Sequence, residues 1–313
     1  MNKFKKFIYI AALAGAIGCL SGCNYESKTS YRYDNADKYT AGNREISDKI
    51  ENIDIDYMSG DIELLATDTD SISIKETTNK TVDSDLQVHT WVDGSTLRVR
   101  FCESAKNLSF NNLEKHLTIE IPKDMTANDI KFEMSSGDVT CDDIVADNIV
   151  VNTSSGDQSV DVAADTIKLT ASSGGIKLTQ KEESETVYIS TSSGSITADV
   201  DTVTEMNLSA SSGRMEISGV DVKTFKADSS SGGGNYSFAK APESTDIQAS
   251  SGDVTIYIPE KSDLTAKLDH SSGDVSYEQA FSRDGDTYVC GSGTDTLNVQ
   301  TSSGDIDIKA LAE

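Results

Sequence analysis

The sequence predicts an all-β protein: a β-solenoid (parallel β-helix-like) of about nine coils of ~19–20 residues, with an atypical β-rich N-terminal cap. The first observation is the tripeptide Ser-Ser-Gly, which occurs nine times between Ser135 and Gly304. Its first eight glycines are 18 to 21 residues apart, and the last step is 31. The second observation is that apolar and polar residues alternate on both sides of each tripeptide, as in strands with one buried face.

Each repeat places apolar residues seven and five positions before its glycine, such as Ile130 and Phe132, and two and four positions after it, such as Ile176 and Leu178. Coils stacked about 4.8 Å apart would merge these rows into one narrow core. The glycine suits a corner with positive φ, and the serines can bond locally to tighten the turn. We expect local irregularity at Gln158 and at Gly232-Gly233-Gly234, where the pattern fails.

An antiparallel meander with Ser-Ser-Gly as its hairpin turn would show the same alternation, because residues that flank a hairpin also share a face. The near-constant period, and the sameness of only one of the two turns in each repeat, favour the coil.

Residues 1–22 are predicted to be a lipoprotein signal peptide. Three lysines within the first six residues precede an apolar run, Phe7 to Leu20, that is too short to span a bilayer. The run ends in Leu20-Ser21-Gly22-Cys23, which resembles the lipobox of bacterial lipoproteins. The resemblance implies that Cys23 carries lipid and that the protein is anchored at the cell membrane, on the extracytoplasmic side. The alternative is an ordinary secretory signal that happens to contain a cysteine.

Residues 23–44 are predicted to be a flexible tether, because they are polar and show no apolar period. Tyr25, Tyr31, Tyr33 and Tyr39 are spaced among charged residues there, and a tyrosine-bearing recognition segment is the alternative interpretation.

Residues 45–125 are predicted to form the β-rich N-terminal cap or a small subdomain, and residues 126–313 the Ser-Ser-Gly solenoid. Strand-like alternation persists in the cap, Ser59-Gly60-Asp61 looks like a degenerate repeat, and Asp93-Gly94 predicts a hairpin turn. In the long last step, a turn around Gly285 and a strand from Thr287 to Cys290 predict a protruding hairpin. We expect the final coil, Leu297 to Ile308, to close the stack.

The Ser-Ser-Gly-Asp turns, the alternation and the glycine pair before the last repeat resemble the bacterial candidate-adhesin domain family known as toastrack. The motifs Ile121-Pro122-Lys123 and Ile258-Pro259-Glu260 also resemble segments that precede a repeat in that family. The resemblance spans residues 45–310. It implies a β-solenoid on the outer face of a bacterial membrane, without known catalytic residues, and some relatives are linked to envelope stress and resistance to membrane-active peptides.

No catalytic residue is predicted. A serine nucleophile needs a base and an orienting group, and the only histidines are His89, His116 and His270. His270 precedes Ser271-Ser272-Gly273-Asp274, but it occupies an inward position of its repeat and is interpreted as a partly buried structural residue. A carbohydrate-active enzyme on a solenoid scaffold stays the alternative, although Arg214 is the only arginine at a Ser-Ser-Gly turn.

Aspartate follows the glycine in five repeats: Asp138, Asp157, Asp253, Asp274 and Asp305. Stacking would place Asp253 and Asp274 about 5 Å apart, where a cation such as calcium could bridge them. The alternative, which we favour, is that each aspartate bonds its own turn. No metal or other cofactor is therefore predicted.

The chain is strongly acidic, with 27 Lys and Arg against 52 Asp and Glu and a formal net charge of −25. Removing residues 1–22 would take away three lysines and no acid, which lowers the charge to −28. Nucleic acid is excluded as a natural partner, because phosphate contacts need Lys and Arg. A cationic peptide, a protein or a glycan at the cell surface remains as a candidate, besides the membrane itself.

Beyond Cys23, the chain after the signal peptide has three cysteines, Cys102, Cys141 and Cys290, which allow at most one intramolecular disulfide. Cys141 occupies an inward position and is interpreted as a small apolar core residue.

The sequence thus predicts a non-enzymatic binding or structural module of the bacterial envelope. Adhesion and protection against cationic peptides are its two versions. Binding that fades with salt would indicate the second version, and salt-insensitive binding would indicate the first.

Overall fold

A computed structural model describes residues 30–107 and 112–311. Its N-terminal strands are β1 (Ser30–Tyr31), β2 (Thr40–Ala41), β3 (Arg44–Ile46), β4 (Asn52–Ser59), β5 (Asp61–Thr67), β6 (Ile72–Thr78), β7 (His89–Asp93), β8 (Thr96–Arg100), β9 (Lys106–Asn107) and β10 (Lys115–Pro122). Two 3-10 helices, Ala36–Lys38 and Ser84–Leu86, connect some of these strands. No described helix has the length and apolar character needed to cross a membrane.

The remaining strands are β11 (Thr126–Ser136), β12 (Val139–Ser155), β13 (Gln158–Ser173), β14 (Ile176–Ser193), β15 (Ile196–Ser212), β16 (Met215–Ser231), β17 (Gly234–Phe238), β18 (Ser244–Ser251), β19 (Val254–Pro259), β20 (Leu264–Ser272), β21 (Val275–Tyr277), β22 (Ser282–Asp284), β23 (Thr287–Cys290), β24 (Asp295–Ser303) and β25 (Ile306–Leu311). Almost all described regular structure is therefore β.

The strands from β11 to β16 stack as parallel coils, one repeat above the next. Phe132 lies beside Val151, Val151 beside Leu169 and Leu169 beside Ile189, so equivalent residues of successive repeats are direct neighbours. These side chains are fully buried and form one continuous core. The predicted β-solenoid is confirmed, and the antiparallel meander is wrong for the Ser-Ser-Gly repeats because their neighbours pair in parallel.

The corner glycines are required by contact as well as by conformation. Gly156 has φ +118, and a Cβ there would lie 2.0 Å from the carbonyl oxygen of Gly137 in the coil below. Only glycine lets the two backbones approach this closely. Inward hydroxyls three residues earlier tighten some corners: Ser229 Oγ donates to Gly232 O at 2.6 Å, and Thr301 Oγ1 to Gly304 O at 3.1 Å.

Neither of the two expected irregularities disturbs the register of the strands. Gln158 keeps the ladder regular, since it pairs with both Val139 and Ile176, and its buried Nε2 donates to Thr170 O at 2.7 Å. The expectation at this position is wrong because the side chain finds a partner inside the core. At the triple glycine, the break between β16 and β17 spans two residues, as at the other Ser-Ser-Gly corners, and Gly234 pairs in register with Met215 and Val254, so this expectation is also wrong. A Cβ on Gly234 would lie 2.2 Å from the Tyr236 ring, which fills that space.

The N-terminal region continues the stack. β4 and β5 form a coil around Gly60 and pair in parallel with β11 and β12, so the degenerate repeat at Ser59-Gly60-Asp61 is confirmed as a coil. β8 and β10 form the layer below it, again in parallel. The antiparallel strands β6 and β7 then cover that last layer, and Asp93-Gly94 makes the predicted hairpin between β7 and β8.

The flexible tether is wrong for its described part, residues 30–44. The Tyr31 hydroxyl donates to Asp56 O at 2.7 Å, and the Tyr33 hydroxyl donates to Cys102 O at 2.9 Å. Tyr39 packs edge-on against Trp91. Aromatic burial and hydrogen bonds thus hold this segment on the cap, although its sequence has no apolar period.

At the far end the coils do not follow chain order. β18 pairs with β24, and β24 pairs with β20, so the last coil in sequence lies between the coils of Gly252 and Gly273. The expectation that Leu297–Ile308 closes the stack is therefore wrong. The predicted hairpin exists as β22 and β23, and β23 pairs antiparallel with β20 at the end of the stack.

Candidate binding surface

The outer face of the coils carries a row of serines. The first serine of each tripeptide is exposed on the face opposite the core and lies one coil from the next. Within β15, β16, β18 and β24 these residues are Ser211, Ser230, Ser250 and Ser302. Their hydroxyls make no hydrogen bond to another described residue. The corner carbonyls of Gly232 and Gly304 already accept hydrogen bonds from the inward hydroxyls of Ser229 and Thr301. The outer serine hydroxyls are therefore available to a ligand.

A groove of about 340 Å³ runs across these four serines. Its second row stands two positions earlier in each repeat and consists of Ser209, Asp228, Gln248 and Gln300. The register places the members of each row side by side on neighbouring coils. The lining offers hydroxyls, amides and one carboxylate at a regular spacing of about 4.8 Å. Such a set of short donors and acceptors suits a partner that is itself rich in hydroxyl groups.

The aspartates after the corner glycines form two ladders of hydrogen bonds. In the first, Asp61 Oδ1 accepts from Asp138 N at 3.0 Å, Asp138 Oδ1 from Asp157 N at 2.8 Å, and Asp157 Oδ1 from Gly175 N at 2.7 Å. Each carboxylate therefore bonds the next coil, where the sequence suggested its own turn. These bonds clamp neighbouring corners together.

The second ladder corrects the expected contact between Asp253 and Asp274. Asp305 lies between them: Asp253 Oδ1 accepts from Asp305 N at 3.0 Å, and Asp305 Oδ1 accepts from Asp274 N at 2.8 Å. The described residues contain no group of three or more His, Cys, Asp and Glu side chains placed to hold a metal ion. One carboxylate oxygen of Asp253 and one of Asp305 are engaged with backbone N–H groups.

The second, variable corner of the coils is acidic. Asp142, Asp143, Glu182, Glu183 and Asp201 are all exposed there. Lys181 pairs with Asp161 at 2.7 Å, and this hydrogen bond raises the pKa of the lysine. A shallow groove of about 440 Å³ at this corner is lined in part by Lys181, Asp199 and Asp201. The negative potential of the chain is thus displayed along one edge of the stack.

A buried ion pair closes the cap. Lys115 Nζ lies 2.7 Å from Glu76 Oε1, and the two side chains are 0% and 3% exposed. Lys115 also donates to Leu86 O and Phe101 O, while the Tyr57 hydroxyl donates to Glu76 at 2.5 Å. Burial lowers the pKa of Lys115, and Glu76 opposes that shift. The ammonium is sealed from solvent and contacts the carboxylate and the two carbonyl oxygens, so it provides their buried polar partner at this end of the core.

The three histidines lie at separate places in the structure, and His89 and His116 contact different residues. His89 is buried with Nδ1 2.9 Å from Gln87 O, and His116 Nε2 lies 3.2 Å from Glu63 Oε2. His270 is exposed, which corrects its interpretation as a partly buried residue. The cause is the order of the coils: β20 is the outermost coil on its side, so no further coil covers His270. Among the described residues no histidine hydrogen-bonds a serine.

Of the cysteines, Cys23 lies outside the described residues. Cys102, Cys141 and Cys290 are buried and are not joined by disulfides. Burial raises the pKa of the Cys102 thiol to about 12, and it also raises that of Cys141, which is 2% exposed and packs in the core as predicted.

Comparisons with known proteins concern nearly the whole described chain. The toastrack family DUF4097 matches residues 50–309. Solved structures similar to the chain include a candidate adhesin from Parabacteroides merdae, with 12% identity and a TM-score of 0.46 over 91% of this chain and 100% of that one. A candidate adhesin from Parabacteroides distasonis shows 16% identity and a TM-score of 0.40 over 88% and 97%.

A second Parabacteroides distasonis structure, described as a candidate lipid-binding protein, shows 16% identity and a TM-score of 0.34 over 87% of this chain and 97% of that one. No curated protein matches the sequence. The family match covers well over half of the chain. The chain therefore belongs to the toastrack DUF4097 family.

Proposed function

We propose that this toastrack protein is a non-enzymatic binding module, anchored by lipid at Cys23 on the extracytoplasmic side of a bacterial membrane. Its binding surface is the serine- and glutamine-lined groove of the outer face, and its partner is a hydroxyl-rich glycan of a cell surface. The observation that carries this proposal is the groove itself. Four consecutive coils present unengaged serine hydroxyls and exposed amides in register, and the one hydrogen bond that these amides make to a described residue is the long one from Gln248 Nε2 to Asp246 Oδ1 at 3.5 Å.

The fold suits such a role because its ligand groups sit on a rigid lattice. The outer face is a parallel sheet whose opposite side is packed into the core, so the spacing of the rows is fixed before a ligand arrives. Preorganised polar groups lose little conformational entropy on binding. A chain of sugar units can lie across several coils and add weak contacts.

The anchor proposal combines Cys23 with the docked tyrosines. Six residues lie between Cys23 and Ser30, and the seven Cα-to-Cα steps across them can span about 25 Å when fully extended. Because residues 31–46 pack on the cap, a lipid on Cys23 would hold the cap close to the membrane, with the Gly273 end farthest away. The measurement is membrane fractionation and mass spectrometry of the processed protein, in which Cys23→Ser should abolish lipid attachment and release the protein.

The groove is tested on an array of bacterial and host polysaccharides with the full chain. We expect binding that survives raised salt and that weakens about tenfold in a Gln248→Ala, Ser250→Ala double variant. The matched control is Ser190→Ala, Ser192→Ala, which removes hydroxyls at the same two repeat positions outside the groove. Equal loss in both double variants, or binding of no glycan, would refute the groove as the site.

A second candidate function, capture of cationic peptides, is favoured by the acidic second corner. Its binding would be electrostatic and would fade as salt rises. Substituting Glu182→Gln and Glu183→Gln should weaken it and leave glycan binding unchanged. Turnover of a polysaccharide in the same array would instead support the carbohydrate-active enzyme.

A further inference from the structure

At the far end of the solenoid, the outer edge of β21 is open. β20 is covered there by β23, but β21 pairs only with β25, and no other described strand lies along its outer side. Ile306 N donates to Asp274 O at 2.9 Å, and Glu278 N donates to Ile308 O at 2.9 Å. In a parallel strand pair, the backbone N–H and C=O groups of every second residue point to the partner strand. Asp274 and Glu278 bond β25, so the N–H and C=O groups of Val275 and Tyr277 face away from the stack.

An aromatic cluster lies beside this edge. Tyr277 is in register with the core residue Ile308, yet it is 42% exposed because no coil lies above it. Its ring contacts those of Phe281 and Tyr288, at centroid distances of 5.3 and 5.5 Å. Two residues after β21, Gln279 is buried, and its amide has no partner among the described residues. An open edge, an exposed ring and an unpaired amide therefore occur within five residues.

The charges around the edge select the occupant. Asp274 and Glu278 are exposed at the two ends of β21. If a second copy paired antiparallel about Ser276, the Asp274 of one copy would face the Glu278 of the other, and like charges directly opposite are destabilising. A strand with lysine or arginine at those two places would instead form opposite-charge pairs.

We propose that β21 is a docking edge that takes an extended, basic peptide segment as an additional strand. The backbone groups of Val275 and Tyr277 pair with the peptide, Asp274 and Glu278 pair with its cations, and the Tyr277 ring covers its apolar side chains. Backbone pairing at an exposed sheet edge is a general mode of peptide recognition. The site lies on neither the groove nor the acidic second corner, so it does not depend on the proposed function.

The test uses the full chain and two synthetic peptides of equal charge, one of alternating lysine and valine and one of alternating lysine and proline. Proline has no N–H and cannot complete a ladder, so we expect the valine peptide to bind and the proline peptide to bind at least about tenfold more weakly. Hydrogen exchange should show protection of the Val275 and Tyr277 amides only with the valine peptide. Equal binding of both peptides would overturn the proposal and indicate simple charge attraction.

Variants locate the site. Val275→Pro removes an outward N–H without removing a bond to β25, and it should abolish valine-peptide binding. Tyr277→Ser should weaken it about tenfold, whereas Tyr188→Ser, at a tyrosine of similar exposure on the outer face, should leave it unchanged. If Val275→Pro disturbs the fold, the double variant Asp274→Asn, Glu278→Gln keeps the backbone and should still weaken binding. Binding that survives in that double variant and in Tyr277→Ser would refute the edge as the site.

Discussion

The backbone N–H of Asp305 donates to the carboxylate of Asp253 at 3.0 Å, although 52 residues of chain separate them. The same relation elsewhere joins coils that are consecutive in sequence, such as Asp138 and Asp157. At the far end the chain makes the Gly273 coil first, turns through the β22–β23 hairpin and returns to fill the layer that was left open. The last segment made thus occupies an internal layer of the stack.

Paired cysteines test this order. Ser251 and Ser303 are register partners on neighbouring coils, and so are Ser303 and Ser272. We expect a Ser251→Cys, Ser303→Cys variant to form an intrachain disulfide, because parallel neighbours lie about 4.8 Å apart, within disulfide range. The measurement is a gel shift without reductant, supported by peptide mapping.

The control is Ser251→Cys, Ser272→Cys, which joins coils that are consecutive in sequence. With β24 between them, the two positions are about 10 Å apart and should not crosslink. A disulfide in the control and none in the first variant would show that the coils simply follow chain order.

A corner glycine should tolerate no side chain. A Cβ at Gly213, where φ is +147, would lie 1.9 Å from Gly194 O. We expect Gly213→Ala to lower the free energy of unfolding by about 3 kcal/mol or more, through clash and strain together. Gly219 also has positive φ but has no atom within 4 Å of a built Cβ, so Gly219→Ala should cost only about 1 kcal/mol. Equal losses in urea denaturation would show that contact between the corners is unimportant.

The aspartate ladder should contribute to stability without metal. Asp157→Ala removes the acceptor of the Gly175 N–H and should cost about 1 kcal/mol. Asp274 is the last member of its ladder, and its carboxylate accepts no hydrogen bond from a described residue, so Asp274→Ala should be nearly neutral. Thermal melts should not shift on addition of calcium. A calcium-dependent rise in Tm that Asp157→Ala removes would restore the bridging cation.

The regular part of the fold could be predicted because period and alternation are local signals. Ile130, Phe132 and the residues at the same two positions of the other repeats all point inward, because strand alternation places those positions on the buried face. Coils that share this pattern can stack only in register. The order of the last coils could not be predicted from the same signals. The repeats of Gly252 and Gly273 present nearly identical edges, so nothing local tells the Gly304 coil which neighbours to take.

The docked tyrosines and the groove could not be predicted from the sequence, for other reasons. Tyr31 and Tyr33 bind backbone carbonyls that lie 25 and 69 residues away, and such contacts leave no periodic trace. The serine row was visible, but it is the same in all repeats. What distinguishes the groove is the second row with Gln248 and Gln300, which become neighbours only through the inserted last coil.

The docking of the N-terminal segment should be measurable through one hydroxyl. Tyr31 Oη donates to Asp56 O and accepts from Phe101 N at 3.2 Å, and the ring is buried. Tyr31→Phe removes both bonds and should lower the free energy of unfolding by about 1–2 kcal/mol. Tyr188→Phe removes an exposed hydroxyl and serves as the control, with an expected change near zero. A neutral Tyr31→Phe would mean that residues 30–44 behave as the tether suggested by the sequence.

A single carboxylate at the inserted coil should make stability depend on pH. Partial burial, followed by the charges of Asp263 and Glu243, raises the pKa of Asp295. A carboxyl with a raised pKa in the folded state is destabilising when ionised, so its penalty is present at pH 7 and disappears as pH falls below its unfolded value of about 3.9. Asp295→Asn should therefore raise the urea midpoint at pH 7 by the equivalent of about 0.5 kcal/mol.

The two proteins should then converge as pH falls below about 4, since the aspartate becomes protonated in both the folded and the unfolded state there. Glu260→Gln, at an exposed acid beyond β19, controls for the general relief of net negative charge and should give a smaller gain at pH 7. A gain from Asp295→Asn that persists unchanged at low pH would contradict the electrostatic explanation. It would instead assign the effect to packing of the new amide between β20 and β24.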